Sequence, residues 1–312
     1  MKYIDAAGVE QTRNGVIVLT GSETTLGEDD GTESSPKEVW YICDKNLSYS
    51  STLESYSNCN VNIIVADGVE MKVESTSSPA ISFSGSLGIY GQSTGTNMGK
   101  LIANGTDIGI SSSKDITICS AEVTATGDEA IHAYGSVSIT GGKVTANGTS
   151  IGINAYNGVV LDWTDATDFI MASSYDVGDG VVKTAEGRRF VAFTVDNTNP
   201  ESPVESFSAI ITGTVSDLST IDGKMLRPLD GCVSLPEGLN IVGKTPYYTI
   251  GSTSYYNIAA NENVTVAADN GLGIEITGTN VPAGTTFNAD NDKDGSITET
   301  DIKAVTRIIM GE

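Results

Sequence analysis

Six residues near the C-terminal end have the spacing of a divalent-cation site. In DNDKDGSITETD, 290–301, Asp290, Asp292 and Asp294 supply carboxylates at positions 1, 3 and 5 of a twelve-residue calcium loop. Gly295 permits the sharp turn at position 6, Ser296 offers its backbone carbonyl at 7, Thr298 can hold a water at 9, and Asp301 closes the set at 12. Calcium is a hard cation that takes oxygen ligands, and three acids this close repel one another unless an ion sits between them. The segment that follows, DIKAVTRIIM, 301–310, carries Ile302, Val305, Ile308 and Ile309 on one helical face. It reads as an amphipathic helix that the loop would pin.

Other candidate chemistry lies mid-chain. Asp128 and Glu129, with Asp107 one repeat earlier, form a second candidate metal or sugar site, and His132, the only histidine, stands beside them. Tyr247, Tyr248, Tyr255 and Tyr256 cluster across an expected hairpin, where alternation would turn one of each pair outward as a candidate sugar-stacking surface. The alternative is that they pack the core of a small domain. GTSIG at 148–152 matches the nucleophile-elbow pattern, but the aligned GTDIG at 105–109 marks it as a repeat corner. A hydrolase needs two carboxylates flanking a sugar bond, and Asp107, Asp128, Glu129 and Asp162 are the acids on offer. A lyase needs a basic residue near calcium, and residues 61–163 hold only Lys72, Lys100, Lys114 and Lys143, with no arginine.

These residues must be positioned by an internal repeat. ITICSAEVTATG, 116–127, returns as VSITGGKVTANG, 137–148, and a looser copy runs through LGIYG, KLIANG and TDIGISSS between 87 and 113. A short period with alternating apolar residues is what stacked coils require. Ile116 and Ile118 align with Val137 and Ile139 and are expected to point inward. The fold predicted is all-β: a right-handed parallel β-helix, with a small β-rich C-terminal domain and a terminal EF-hand-like loop and helix. The expected organisation is a lead-in over 1–60, the solenoid over 61–235, the small domain over 236–285 as its cap, and the calcium loop and helix over 286–312. RRFVAFTV and SAIITGTV, between 188 and 215, are expected as further, irregular coils.

Composition narrows the function. The 312 residues carry 35 glycines and a net charge of -23, which disfavours nucleic acid and anionic membranes as partners and suits calcium. No apolar run reaches the roughly 18 residues of a membrane span. MKYIDAAGVEQT has no hydrophobic signal region, and the composition points to a mature secreted segment whose signal was removed and replaced by Met1. Four cysteines can pair in three ways. Cys43 and Cys59, nearest in sequence, form the expected bridge, with four free thiols as the alternative.

Three resemblances add to these readings. The calcium loop and helix resemble one half of a type I dockerin, in which Asp is usual at the twelfth position; a full dockerin has two repeats, and one is found here. GDEAIHAYGSVSITGGKVTANG, 127–148, resembles the calcium-dependent carbohydrate-binding family of right-handed β-helix proteins. That resemblance implies binding of acidic polysaccharide such as polygalacturonate, with calcium bridging Asp128 and Glu129 to the sugar, although Thr149 and Ser150 replace the acids in the next coil. YIDAAGVEQT, IIVADG, LGIYGQ and IDGKMLRPLDG resemble secreted surface proteins of gut Bacteroidetes and imply an extracellular setting. The combined expectation is a secreted or surface-attached, non-enzymatic protein that binds a complex polysaccharide or host glycan with calcium. A structural or adhesive spacer without a sugar site is the first alternative, and a polysaccharide lyase or glycoside hydrolase the second.

Overall fold

The computed structural model describes residues 1–28, 31–32, 35–76, 79–165, 167–196, 204–229, 232–235, 237–246, 248–257, 264–268, 273–276, 300 and 303–304. Met1–Pro228 forms one compact unit and Leu229–Glu312 another. The first is a parallel β-solenoid of about seven turns.

Each regular coil has three strand segments, two of which fuse into one long strand in the coils between 116 and 155. One belongs to a nine-stranded sheet, and two belong to a fourteen-stranded sheet. In the repeat noted above, Ile116–Cys119 leads into Ala121–Ala133, which pairs with Lys100–Asn104 through its first half and with Ile108–Ser112 through its second. Gly142–Ala155 repeats this path one coil later, and the register between the two long strands shifts once, between Gly127 and Glu129.

The register stacks like residues in columns. Val61, Leu87, Ile116, Val137, Val159 and Val182 form one inward column of the nine-stranded sheet. Ile63, Ile89, Ile118, Ile139 and Leu161 form the next, and these side chains are buried. On the other sheet Leu101, Val123 and Val144 stack beside a column of Ala103, Ala125, Ala146 and Ala172. Small and branched residues thus alternate around an apolar core, each fully buried branched side chain contributing about 1.5–3 kcal/mol. Thr184 ends the second column and is satisfied there, its Oγ donating to the Arg188 carbonyl at 3.0 Å and accepting from the Gly213 N–H at 2.8 Å. The tight corner after Ile116–Cys119 demands glycine nearby. A Cβ on Gly91 would sit 1.7 Å from the Ser120 carbonyl oxygen, and Gly142 holds a φ of +93 with the Ala121 carbonyl 2.2 Å from its missing Cβ.

Three expectations change. The lead-in is already solenoid: Ile17–Val18 and Lys37–Cys43 join the parallel ladder, and Leu19, Leu26, Val39 and Tyr41 enter the core. Residues 189–196 and 204–212 are not irregular coils. Arg189–Asp196 and Val204–Thr212 form an antiparallel pair, and with Met225–Pro228 they join the last coil at Phe169–Ala172. Within the first unit, the strands at Arg189–Asp196 and Met225–Pro228 therefore extend the ladder past its last parallel strand on that side. Cys43 and Cys59 are not bridged, and both are free and buried. They lie on neighbouring strands but at opposite ends, since Lys37 pairs with Cys59 and Cys43 pairs with Val65. Six residues of extended strand put them far beyond the ~7 Å limit between bridged Cα atoms. Burial pushes the Cys43 and Cys119 thiols up to about 11.

An N-terminal hairpin, Lys2–Ile4 with Glu10–Thr12, covers part of the outer face of the nine-stranded sheet. Tyr3 packs on Trp40 and Tyr90 at ring separations of 4.8 and 5.3 Å, and the Arg13 guanidinium lies 5.3 Å from the Trp40 ring. The second unit contains two three-stranded antiparallel sheets. In one, Tyr248–Ile250 and Thr253–Asn257 pair around the Gly251 turn. The calcium loop and most of the expected helix lie outside the described residues; Thr300, Lys303 and Ala304 have helical backbone. No helix among the described residues is long and apolar enough to cross a membrane.

Because Ile118 is enclosed by stacked neighbours, Ile118→Ala should cost about 2–5 kcal/mol in chemical denaturation. The outward Thr117→Ala should stay within about 0.5 kcal/mol. Equal effects at the two positions would contradict the inward assignment.

Candidate functional site

The mid-chain acids sit where the two long strands bend. Gly127 pairs with Gly148 at the bend, and Asp128 projects into solvent just beyond it. Its Oδ1 accepts hydrogen bonds from Ser150 Oγ at 2.6 Å and Thr149 Oγ1 at 2.7 Å, both on the next coil. The two hydroxyls hold the Asp128 carboxyl below the usual aspartate range, Ser150 contributing most. Identical acids in successive coils would stack about 4.8 Å apart and repel. Thr149 and Ser150, which replace the expected acids, are donors to the acid below. Ser150 therefore serves Asp128 from within a strand, with no helix following it, and the nucleophile-elbow geometry is absent at this corner.

Glu129 turns to a different set of partners. Its Oε2 is in close contact with His132 Nδ1 and accepts from Asn154 Nδ2 at 3.2 Å. With Nδ1–H donating to Glu129, Nε2 has no partner among the described residues. His132 stands in register between Ser111 and Asn154 on the outer face. Its ring lies 4.7 Å from that of Tyr134 at 51°. Tyr134 is 64% exposed and Tyr156, at the same register one coil later, is 53% exposed. The Tyr156 hydroxyl donates to Asp179 Oδ2 at 2.9 Å, and its ring leans over Gly178, where a Cβ would come within 3.0 Å of it.

Asp107 is exposed and gives its backbone carbonyl to the Glu129 N–H at 2.9 Å. The structure thus brings Glu129 together with His132, and Asp128 with two hydroxyls, but does not gather Asp107, Asp128 and Glu129 around one point. Among the described residues no three His, Cys, Asp or Glu side chains are grouped to hold a metal. In the second unit Tyr255 and Tyr256 are 8% and 2% exposed, so neither offers an open ring to a sugar. Tyr247, the Tyr248 side chain and Asp290, Asp292, Asp294, Ser296, Thr298 and Asp301 lie outside the described residues.

The neighbouring outer faces are occupied. On the side of Lys100–Asn104, Lys72 pairs with Glu74 and Lys100 with Glu122, each at 3.0 Å. The nine-stranded sheet is partly covered by the N-terminal hairpin. Among the described residues, the corner carrying His132, Tyr134, Asn154 and Tyr156 is an open surface with exposed aromatic area. Tyr134 and Tyr156 are the residues missed from sequence. A signal was present, since AIHAYG and GINAYN keep Ala-Tyr at the same repeat position and in the outward phase.

A carboxyl held below its ordinary value stabilises the fold above its unfolded-state pKa and loses that effect as pH falls below about 4. Ser150→Ala should therefore raise the Asp128 pKa toward that of a free aspartate, read by carboxyl NMR titration. An unchanged pKa would show that Ser150 does not support Asp128.

No protein-family model matches this chain, no curated protein matches it in sequence, and no solved structure matches it. The chemistry of the corner is therefore the basis for assigning a role.

Proposed function

We propose that this chain is a secreted or surface-attached, non-enzymatic glycan-binding protein that carries calcium in its C-terminal loop. One observation carries the reading: Tyr134 and Tyr156 stand exposed in successive coils beside a polar row of Glu129, His132 and Asn154. An exposed tyrosine ring is a flat amphipathic platform, apolar on its face and polar at its tip. A sugar ring matches this arrangement, with C–H groups for the aromatic face and hydroxyls for the flanking carboxylate, amide and imidazole. The net charge of -23 argues against nucleic acid stacking on the same rings.

The calcium part of the proposal rests on the spacing of Asp290, Asp292, Asp294, Ser296, Thr298 and Asp301. The ion's role there is to draw the acids together at the start of the following segment. The corner offers two carboxylates with different partners and no acid trio, so sugar recognition at this site proceeds through rings and hydrogen bonds.

A glycan array should give binding that Tyr134→Ala and Tyr156→Ala each weaken about tenfold, or ~1.4 kcal/mol. Binding untouched by both substitutions, or no binding at all, would favour the spacer. Calorimetry should show calcium uptake that Asp292→Ala removes, with stabilisation of about 2.7 kcal/mol at a hundredfold excess over Kd. Uptake that survives Asp292→Ala would move the ion elsewhere.

A further inference from the structure

The register extends the corner well beyond its two neighbouring tyrosines. Glu54, Ser82, Ser111, His132 and Asn154 stand in one outward column. Two residues further along each strand, in the same outward phase, come Tyr56, Ser84, Ser113, Tyr134 and Tyr156. Tyr56 is 42% exposed. The three strongly exposed aromatic side chains among the described residues therefore share one column, although nothing in the packing of a solenoid requires this.

Between Tyr56 and Tyr134, where serines replace tyrosine, the surface is hollowed. A cleft of about 250 Å³ is lined by residues that include Asn58, Asn60, Ser84, Ser86 and Lys114. Asn60 Oδ1 accepts the Ser86 N–H at 3.0 Å. The Asn60 amide NH₂, the Ser84 and Ser86 hydroxyls and the Lys114 ammonium have no protein partner among the described residues. Lys114 also makes no ion pair there, unlike Lys72 and Lys100. The cleft thus holds several unspent donors within one short stretch of the column.

We propose that one linear polysaccharide lies along this corner, parallel to the solenoid axis. One ring stacks on Tyr56, the chain crosses the cleft among Asn60, Ser84, Ser86 and Lys114, and further rings stack on Tyr134 and Tyr156. This rests on the glycan-binding reading above and adds to it a chain direction, a minimum length and a second contact region. Coils stack about 4.8 Å apart, so the column from Tyr56 to Tyr156 spans roughly 19 Å, about four pyranose units of an extended chain. A terminal sugar or a disaccharide could fill only one end. An extended peptide is a poorer match, because strands of the interior coils are paired on both sides and leave no edge to augment.

The test uses the full chain and size-fractionated ladders of galacturonan, cello- and xylo-oligosaccharides from about two to about eight units. For the ladder that binds, affinity should rise with length and level off at about four or five units. Tyr56→Ala and Lys114→Ala should each weaken the long oligomers about tenfold and leave disaccharide binding unchanged, whereas Tyr134→Ala weakens both. Both residues of the first pair are at the surface, and circular dichroism checks that the variants fold. Affinity that stops rising at a disaccharide, or that ignores Tyr56→Ala and Lys114→Ala while responding to Tyr134→Ala, overturns the axial path and leaves glycan binding standing. Failure of every ladder and its parent polymer to bind the unmodified chain overturns the glycan-binding reading itself.

Discussion

Each coil of the solenoid is held to the next by a parallel backbone ladder, and that ladder decides where every side chain stands. Parallel strands in register place equivalent residues directly above one another, about 4.8 Å apart. Inside, this gives columns such as Ile63, Ile89, Ile118 and Ile139, whose branched side chains are fully buried in the core. Outside, the same rule stacks whatever the sequence supplies. Favourable neighbours then recur along the axis, and unfavourable ones must be avoided coil by coil. The Asp128 carboxylate meeting Thr149 and Ser150 is a case of avoidance, because an acid in the next coil would have met it at close range.

Much of this architecture is legible in the amino-acid sequence, because the inward signal repeats. Ile116 and Ile118 against Val137 and Ile139 set both the phase and the pairing. The beginning of the solenoid is hidden because its coils vary in length. Tyr41, Ile63 and Ile89 stack although the loops between them differ, so no fixed period survives there. Residues 189–215 are ambiguous for another reason, since a run such as RRFVAFTV is equally apolar in a coil and in an antiparallel hairpin. Only the partner distinguishes them, and the partner lies at Val204–Thr212, beyond a Pro-containing stretch of sequence. Cys43 and Cys59 show the same limit: nearness in sequence says nothing about which ends of two strands meet.

The candidate site is legible in part. Asp128, Glu129 and His132 stand out as charged or titratable residues inside a repeat, and Glu129 and His132 do meet. A joint role for the two acids at one metal is suggested by their adjacency alone. Spacing cannot reveal that Asp128 faces the next coil while Glu129 turns to His132 and Asn154. The tyrosines are the reverse case. The paired aromatics at 247–256 draw attention by clustering, yet Tyr255 and Tyr256 are buried. Tyr134 and Tyr156, spread by one coil in sequence, become neighbours only through the ladder. Aromatic clustering in the sequence of a solenoid is thus a weaker guide to a surface platform than recurrence at one repeat position.

The claim that matters most is that the exposed tyrosine corner meets sugar. Tyrosine-ring-selective NMR of the full chain, titrated with a polysaccharide that it retains, tests this most directly. Saturable shifts of the Tyr134 and Tyr156 rings are expected, with the buried Tyr41 and Tyr175 rings unmoved. Saturable binding that leaves Tyr134 and Tyr156 unshifted would contradict that claim.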